Sequence, residues 1–388
     1  MNQKLESIAI VLLGLSLVLN YVSKSFFYID SALIFLITIF IVYRTKVPFK
    51  NLFDYKLPLM LIISYSILLL VNFINETHNY SKNLGMIFHF LLLYCLYYYF
   101  VLSSFKNENF DLVLKTLYLS ISFLSTVLIV SSLLSIDVIH TIKRLSIVPF
   151  SPSAYHSSQT FLTVCIGLIL FYLKNNFTLL NKILFSLIIV GTFVVEGKTA
   201  IITLSGGIFI YFISYMLISK KLTVLKFFAS IVIMSLVFYL MMTIRNEDIS
   251  NFNMEDFTTG RFSGWLLYID LILKENTLFG FGIFGGKLLV EQGLLAFKHP
   301  HNIFIEALFT TGVIGFTILL GLFASYIKNI YTVKACAEKK AIIITTFFTV
   351  LVSSQGFWSI WSKNHVVPIM IIIAISFLLI HKSEKVAR

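Results

Sequence analysis

The stretch Lys298-His299-Pro300-His301-Asn302 ends the one long polar interruption of an otherwise apolar chain. The interruption begins near residue 245 with acidic residues and contains the glycine-rich run Gly280-Phe281-Gly282-Ile283-Phe284-Gly285-Gly286. A loop of this length without clear secondary structure is usually functional or disordered. Its apolar and aromatic content argues against disorder, because disordered segments are poor in such residues. We therefore predict that this loop carries the function of the protein.

The composition indicates a polytopic membrane protein. Of the 388 residues, 58% are hydrophobic and only 12% are charged, whereas soluble domains carry about 25% charged residues. The net charge of +12 comes from lysines scattered between apolar segments. This pattern fits anchoring of cytoplasmic loops and gives no indication of a nucleic-acid partner. The three cysteines have no spacing typical of disulfide frameworks or metal sites.

Apolar runs close to the ~20 residues needed to cross a bilayer recur from end to end. We predict an all-α integral membrane protein with about twelve transmembrane helices (ten to twelve), the whole chain 1–388 forming one polytopic membrane domain. The predicted spans are 5–22, 29–43, 57–74, 84–102, 112–136, 160–173, 183–195, 200–218, 224–243, 302–327, 341–358 and 366–381. Span 183–195 is the shortest. The segment 244–301 is then a long extracellular loop with short helices, between spans nine and ten.

The charges of the connections set the orientation. Lysine and arginine are more frequent in cytoplasmic loops than in external ones. With the N-terminus inside, the basic clusters of the connections 44–56, 174–182, 220–226 and 328–340 all fall on the inside. The external connections hold mostly single charges, Lys24, Lys82, Lys198 and Lys363, and the pair Lys143–Arg144. We therefore expect both termini in the cytoplasm and the long loop outside.

A helix is predicted over about 261–275 within this loop. Apolar residues recur there at helical spacing, and we expect them on one face that lies on the membrane or packs on the bundle: Phe262, Trp265, Leu266, Ile269, Ile272 and Leu273. Arg261 and Asp270 would lie off this face. The simpler alternative is an amphipathic surface helix without chemistry.

The end of the loop offers polar groups at the mouth of a span. Pro300 suits the first turn of a helix, which places His301 and Asn302 at the outer end of span 302–327. The N–H groups and the positive dipole end of that helix would suit an anion such as a phosphate. The simpler alternative for His301 is a hydrated interfacial residue.

Three residues inside this span carry further expectations. Glu306 lies about one turn into the apolar zone, where a carboxylate is costly and needs a partner. Gly312 and Gly315 predict the close approach of a neighbouring helix. Taken singly, such glycines are usually packing residues, and an external arginine usually pairs with a carboxylate or a lipid phosphate. The combination is more specific than any single residue.

The loop and the span resemble the O-antigen ligase and polymerase superfamily. Its signature is a His followed by Asn, Ser or Gln, then nine residues, then Gly-x-x-Gly, and the chain has His301-Asn302 and Gly312-Val313-Ile314-Gly315 at this spacing. Gly260-Arg261 with Trp265, and Leu278-Phe279-Gly280-Phe281-Gly282, also fit the family. So does a long external loop late in a bundle of ten to twelve spans.

The resemblance implies a glycosyltransferase that uses glycans on undecaprenyl diphosphate at the outer face of a bacterial cytoplasmic membrane. Arg261 and His301 would be the catalytic residues. Arg261 would stabilise the diphosphate charge, and His301 would be the base for the acceptor hydroxyl because its intrinsic pKa is near neutrality. The supporting residues would be Trp265, Glu306, Gly312 and Gly315.

Three more residues would bind the diphosphate: Lys198, Arg144 and Asn302. The stretch Glu196-Gly197-Lys198-Thr199-Ala200 stands where the family has Ser-Arg-Gly-Ala. Lysine supplies charge there but not a bidentate fork, and an ion pair with Glu196 is the simpler alternative. Arg144 resembles an external arginine of the family.

We weigh a polymerase against three alternatives: a ligase, a flippase and an inactive scaffold. A composition rich in Lys, Ile, Asn and Phe is typical of AT-rich Gram-positive cocci, which make capsule and lack lipid A, so we favour a capsular polymerase over a ligase. A flippase for lipid-linked oligosaccharide is disfavoured, since transporters usually show internal repeats and polar or broken membrane helices. An inactive scaffold is the third alternative. We expect no cofactor and no metal, because the loop lacks an Asp-x-Asp-type pair, and partners that include a chain-length regulator and a flippase of the same pathway.

Overall fold

The computed structural model describes residues 110–133, 165–194, 198–221, 261–282, 285–332 and 336–353, and single residues between 223 and 239. These residues contain no strand. The bounded helices among them are α1 Phe110–Leu133, α2 Ile166–Asn175, α3 Leu179–Val194, α4 Lys198–Ile218, α5 Arg261–Glu275, α6 Gly285–Glu291, α7 Ile303–Thr332 and α8 Ala337–Ser353. The predicted spans 5–22, 29–43, 57–74, 84–102 and 366–381 lie outside the described residues, and so does Arg144.

The described helices match the predicted all-helical fold. Among them, Thr199–Ile218 and Ile303–Gly321 are long and apolar enough to cross a membrane, judged by length and composition. Helix α3 begins four residues before the predicted span 183–195. It starts early because Thr178 Oγ1 accepts a hydrogen bond from the Asn181 N–H at 3.3 Å, which satisfies one of the unpaired donors at a helix start.

Small residues let helices α2, α4 and α8 pack closely. A Cβ on Gly207 would lie 2.5 Å from Ile166 Cγ2 and 2.7 Å from Thr349 Cγ2, and one on Gly167 would lie 3.3 Å from the Ile342 carbonyl oxygen. Such glycine contacts allow backbones to approach in membrane proteins. The buried threonines of α8 donate their hydroxyls to carbonyls of their own helix, so they add no unpaired donor to the interface.

A polar cluster ties the same three helices together at one end. Lys174 Nζ lies 2.7 Å from Glu338 Oε2, and the Tyr211 hydroxyl donates to Glu338 Oε1 at 3.3 Å. Lys174 and Glu338 belong to the connections 174–182 and 328–340. The cluster therefore places these two connections at the same end of the bundle, which the predicted orientation requires.

The long loop folds around a core of its own. Helix α5 packs against α7, and the side chain of Phe309 on α7 stacks on Phe281 with ring centroids 4.9 Å apart. The Tyr268 ring meets the same phenylalanine edge-on at 4.8 Å. The buried residues of this cluster are Tyr268, Leu271, Ile272, Leu289, Leu295 and Phe309.

The helix predicted over 261–275 is confirmed, but only part of the predicted apolar face packs against the rest of the protein. Tyr268, Leu271 and Ile272 are the buried residues, whereas Phe262, Leu266 and Leu273 of the predicted face are exposed. The reason is Tyr268, whose ring packs in the core while its hydroxyl donates to the Phe297 carbonyl at 2.5 Å. An aromatic residue with a polar tip can be buried when the tip finds a partner, and apolar periodicity does not detect it.

We expect Gly207→Ala to lower the thermal stability of the purified protein and Gly321→Ala to leave it unchanged or raise it. The new methyl group at 207 would overlap two β-branched side chains, whose χ1 angles are stiff, and overpacking of this kind costs about 1–3 kcal/mol. A Cβ at Gly321 meets nothing within 4 Å, so only the better helix propensity of alanine remains. Thermal unfolding of both variants in detergent checks this, and a stable Gly207→Ala would contradict the packing described above.

Candidate functional site

Helix α7 is broken at Gly312. This residue has φ 64° and ψ −169°, inside a segment otherwise helical from Ile303 to Thr332. The prediction of one continuous helix over 302–327 is therefore wrong at this point. A break frees main-chain groups from their helical partners, and in a membrane such groups must be satisfied within the protein.

The loop segment 277–282 satisfies the groups at this break. The N–H of Val313 donates to the Thr277 carbonyl at 2.9 Å, and the N–H of Ile314 points to the Leu278 carbonyl at 3.5 Å. In return, Phe281 N–H donates to the Phe309 carbonyl at 2.7 Å, and Gly282 N–H donates to the Thr310 carbonyl at 3.1 Å. Loop and helix are thus joined through their main chains.

Two glycines make this main-chain pairing sterically feasible. A Cβ on Gly280 would lie 2.5 Å from the Phe309 carbonyl oxygen, and a Cβ on Gly312 would overlap the Leu278 carbonyl. Both glycines have positive φ, a conformation that side chains rarely adopt. The two sequence motifs, Leu278-Phe279-Gly280-Phe281-Gly282 and Gly312-x-x-Gly315, are therefore the two halves of one contact.

The contacts of these span glycines differ from the expected approach of a helix. Among the described residues, the atoms nearest to a Cβ on Gly312 belong to the loop 277–282. A Cβ on Gly315 would overlap the hydroxyl of Thr311 on its own helix, and that hydroxyl donates to the Ala307 carbonyl at 2.6 Å. The break at 312 brings this threonine side chain over Gly315, which the spacing of an unbroken helix does not predict.

Asn302 caps the start of α7. Its Oδ1 accepts hydrogen bonds from the N–H groups of Phe304 at 3.0 Å and Ile305 at 3.2 Å, which is the usual action of an N-cap asparagine. These two N–H groups are used by the protein itself, contrary to the expectation that they would receive an anion. Because Oδ1 is occupied in the cap, Nδ2 is the side-chain donor of Asn302 that a ligand would use.

Glu306, which was expected to need a partner, contacts His299. The Glu306 side chain is 0% exposed, and its Oε1 lies 3.3 Å from Nδ1 of His299, whose side chain is 43% exposed. No role was predicted for His299 from the sequence. A signal was available, because a buried carboxylate demands a partner and the stretch just before α7 offers two histidines, His299 and His301.

Two hydrogen bonds hold α5 against the segment before His301. Trp265 Nε1 donates to the Pro300 carbonyl at 2.6 Å, and the Tyr268 hydroxyl donates to the Phe297 carbonyl. Burial, with the charge of Glu306 as a smaller cause, raises the pKa of Tyr268 above its ordinary value. The hydroxyl therefore remains a donor at neutral pH.

Arg261 lies on the same face of α5 as these two aromatic residues. Its spacing of four to Trp265 and seven to Tyr268 places the three in one row along the helix. Tyr268 in this row donates to the Phe297 carbonyl, and Trp265, one turn nearer the start of the helix, donates to the Pro300 carbonyl. The segment 297–300 therefore runs along the helix towards its start. Arg261 is half-buried one turn beyond, and burial lowers the pKa of its guanidinium from the ordinary value. Asp270, off this row, pairs with Lys274 at 2.8 Å on the surface.

His301 has an unusual backbone conformation. Its φ is 52°, and for a residue with a Cβ the left-handed region costs about 1–2 kcal/mol. Its Nδ1 atom is buried from solvent. Non-glycine residues in this region concentrate at functional sites, where the surroundings impose the conformation.

Lys198 is the first residue of α4. Helix α4 reaches the cluster around Glu338 through Tyr211, and α7 ends just before α8, which carries Glu338. Lys198 therefore lies at the end of α4 that is away from this cluster.

The observations above define a class of protein, an α-helical membrane protein with a folded polar segment packed on a broken helix. The family model described as O-antigen ligase (Wzy_C) matches residues 183–320, which include most of α3, all of α4 to α6, the first part of α7 and both sequence motifs. Over these residues the match confirms the resemblance to the O-antigen ligase and polymerase superfamily. This family consists of membrane proteins of the glycosyltransferase type. No curated protein and no solved structure matches the chain significantly.

We expect Gly280→Ala to destabilise the purified protein more than Gly293→Ala. Both glycines have positive φ, 72° and 75°, so both alanines meet the same backbone cost. Only Gly280 adds steric overlap, because a Cβ there would lie 2.5 Å from the Phe309 carbonyl oxygen, whereas nothing lies within 4 Å of a Cβ on Gly293. Equal shifts in the thermal unfolding of the two variants would show that the pairing at the break does not restrict Gly280.

We expect Trp265→Phe to loosen the segment 297–302 while keeping α5 folded. The substitution leaves the Pro300 carbonyl without the indole donor, and an unpaired polar group in a partly buried position costs about 1–3 kcal/mol. Hydrogen exchange measured by mass spectrometry is expected to quicken in 297–302. Leu266→Ala, at an exposed position one residue further on, is the matched control and should leave this exchange unchanged.

Proposed function

We propose that the protein is a polysaccharide polymerase. It transfers a growing glycan from undecaprenyl diphosphate to the next lipid-linked repeat unit, on the outer face of the cytoplasmic membrane of a bacterium. The product is a capsular or other surface polysaccharide. About twelve spans with both termini in the cytoplasm, and the segment 244–301 outside as the catalytic loop, complete the proposed architecture.

One observation carries this proposal. The hydrogen bond from Trp265 to the Pro300 carbonyl joins the helix that carries Arg261 to the turn that carries His301. These two residues come from separate motifs, about forty residues apart in the sequence, and the bond brings their two segments to one place. A cation that stabilises the leaving diphosphate and a base for the acceptor hydroxyl would both favour glycosyl transfer from a diphosphate.

The chemistry assigns one role to each of these groups. The acceptor hydroxyl oxygen attacks the anomeric carbon of the donor sugar, and the bond from that carbon to the diphosphate oxygen breaks. The electron pair leaves with the diphosphate, whose charge Arg261 stabilises, with Lys198, Arg144 and Nδ2 of Asn302 as further donors. His301 takes the proton of the acceptor hydroxyl. The diphosphate is a good leaving group, so the proposed reaction uses no metal.

Two alternatives each have an observation in their favour. The matching family model bears the description O-antigen ligase, which favours transfer of the finished glycan to a terminal acceptor. The break in α7 at Gly312 favours a flippase, because broken membrane helices are common in transporters. Against the flippase, four main-chain hydrogen bonds from the loop fill the break, so the groups that make these bonds are already used within the protein.

We expect His301→Ala and Arg261→Ala to abolish long glycan chains in cells whose own gene is deleted. Loss of a group that stabilises transition-state charge typically lowers a rate by about 10²–10³-fold. Arg261→Lys should recover part of the activity, since lysine keeps the charge but not the bidentate geometry. The readout is the size ladder of the surface glycan, with membrane abundance checked by blot and Lys274→Ala as the control.

The ladder also separates the alternatives. Single repeat units that remain exported on the lipid would support polymerisation. Full-length chains that accumulate on the carrier lipid would identify a ligase. Repeat units retained inside the cell would identify a flippase, and intact ladders from both well-expressed variants would remove Arg261 and His301 from the site.

A further inference from the structure

The contact between His299 and Glu306 joins the loop to the first turns of α7. Nδ1 of His299 lies 3.3 Å from Oε1 of Glu306, and the carboxylate side chain is fully buried. A buried carboxylate is costly unless a donor or a cation faces it, and removal of that partner is strongly destabilising. His299 is therefore held firmly to α7, although it stands outside the helix.

The neighbours of His299 are held as well. The Pro300 carbonyl accepts the indole N–H of Trp265 on α5, and Asn302 is fixed as the cap of α7. Residues 299, 300 and 302 are thus each tied to a helix. His301 stands among them with its left-handed backbone, φ 52°.

We propose that the His299–Glu306 contact positions His301: it fixes the turn 299–302 so that His301 keeps its left-handed backbone and presents its ring to the acceptor hydroxyl. His299 is in this scheme a positioning residue that takes no part in the bond changes. The catalytic consequence rests on the function proposed above, whereas the effect on the placement of His301 does not.

The same geometry explains why a histidine and a glutamate occupy these two positions. The imidazole is short and planar, so its Nδ1 reaches Oε1 only when residue 299 lies close to the start of α7. A longer lysine would reach Glu306 from many backbone positions and would fix none of them. The contact therefore restrains the main chain.

The variants must break this contact without leaving a buried carboxylate unpaired. Glu306→Gln removes the charge and keeps an oxygen for the N–H of His299. The double variant H299A/E306Q then removes the contact without leaving a buried carboxylate unpaired. Comparing it with Glu306→Gln isolates the effect of the contact. His299→Gln is a further variant that keeps a donor for Glu306. Lys274→Ala breaks an exposed ion pair on α5 and is the matched control, because exposed pairs contribute little.

The first readout is the rate at which diethyl pyrocarbonate modifies His301 in the purified full-length protein, followed by mass spectrometry. We expect slow modification in the natural protein, Glu306→Gln, His299→Gln and Lys274→Ala, and a several-fold faster reaction in H299A/E306Q. Thermal unfolding checks that the double variant is folded. Should it unfold, His299→Gln still decides, because fast modification of His301 in a variant that keeps the donor would overturn the proposal.

The second readout is transfer by the same proteins, with lipid-linked repeat units isolated from cells that lack the gene as the substrate. We expect a lower kcat in H299A/E306Q with little change in KM for the lipid-linked donor, since Arg261, Lys198 and Arg144 lie outside the turn 299–302. Asn302, the fourth proposed diphosphate donor, is held independently as the cap of α7. Because a loss of folded protein would also lower the apparent kcat at constant KM, each rate is divided by the amount of folded protein. An unchanged modification rate of His301 in the folded double variant would overturn the positioning role. Faster modification with unchanged transfer would uphold the positioning of His301 and exclude it from the reaction proposed above.

Discussion

The main-chain pairing between the loop 277–282 and the break in α7 is the contact on which the candidate site depends. Four main-chain hydrogen bonds join the two segments. The segments can approach this closely only because Gly280 and Gly312 have no side chains. The broken helix needs the loop to satisfy its main-chain groups, and the loop needs the helix to place Phe281 against Phe309. Neither segment would hold this conformation alone.

The placement of the candidate catalytic residues, Arg261 and His301, follows from this pairing. With the loop fixed at Gly280, the core around Tyr268 and Phe309 packs α5 on α7. The hydrogen bonds of Tyr268 and Trp265 then hold the segment 297–300 along α5. The segments that carry His301 and Arg261 owe their places to these contacts.

The charged side chains around the candidate site differ in how deeply they are buried. Glu306 is fully buried and is faced by His299, while the pair Asp270–Lys274 on the outer side of α5 is exposed. Arg261 is half-buried and its pKa is lowered by desolvation, so a charged ligand beside it would be less screened than at the surface. An anionic diphosphate would gain most from such a position.

Part of the fold and of the candidate site could be predicted from the sequence, and part could not. The helix at 261–275 followed from its apolar spacing, and so did the need of Glu306 for a partner, because both depend on local periodicity and on the cost of burying a charge. The packing face of that helix did not, since the hydroxyl of Tyr268 is satisfied by a carbonyl 29 residues away. Nor did the role of Gly312, because a glycine pair in an apolar span has the same spacing whether it admits a helix or breaks one.

The sequence by itself determined the class of the chain, the long polar loop and the family signature, since apolar content, charge bias and motif spacing are properties of residue order. Only the tertiary structure decided that the two glycine motifs touch, that His299 contacts Glu306, and that Trp265 and Tyr268 hold the segment before His301. These are contacts between segments that local patterns leave independent. Their geometry is set by which polar groups each buried segment must satisfy, and that is decided only when the segments meet.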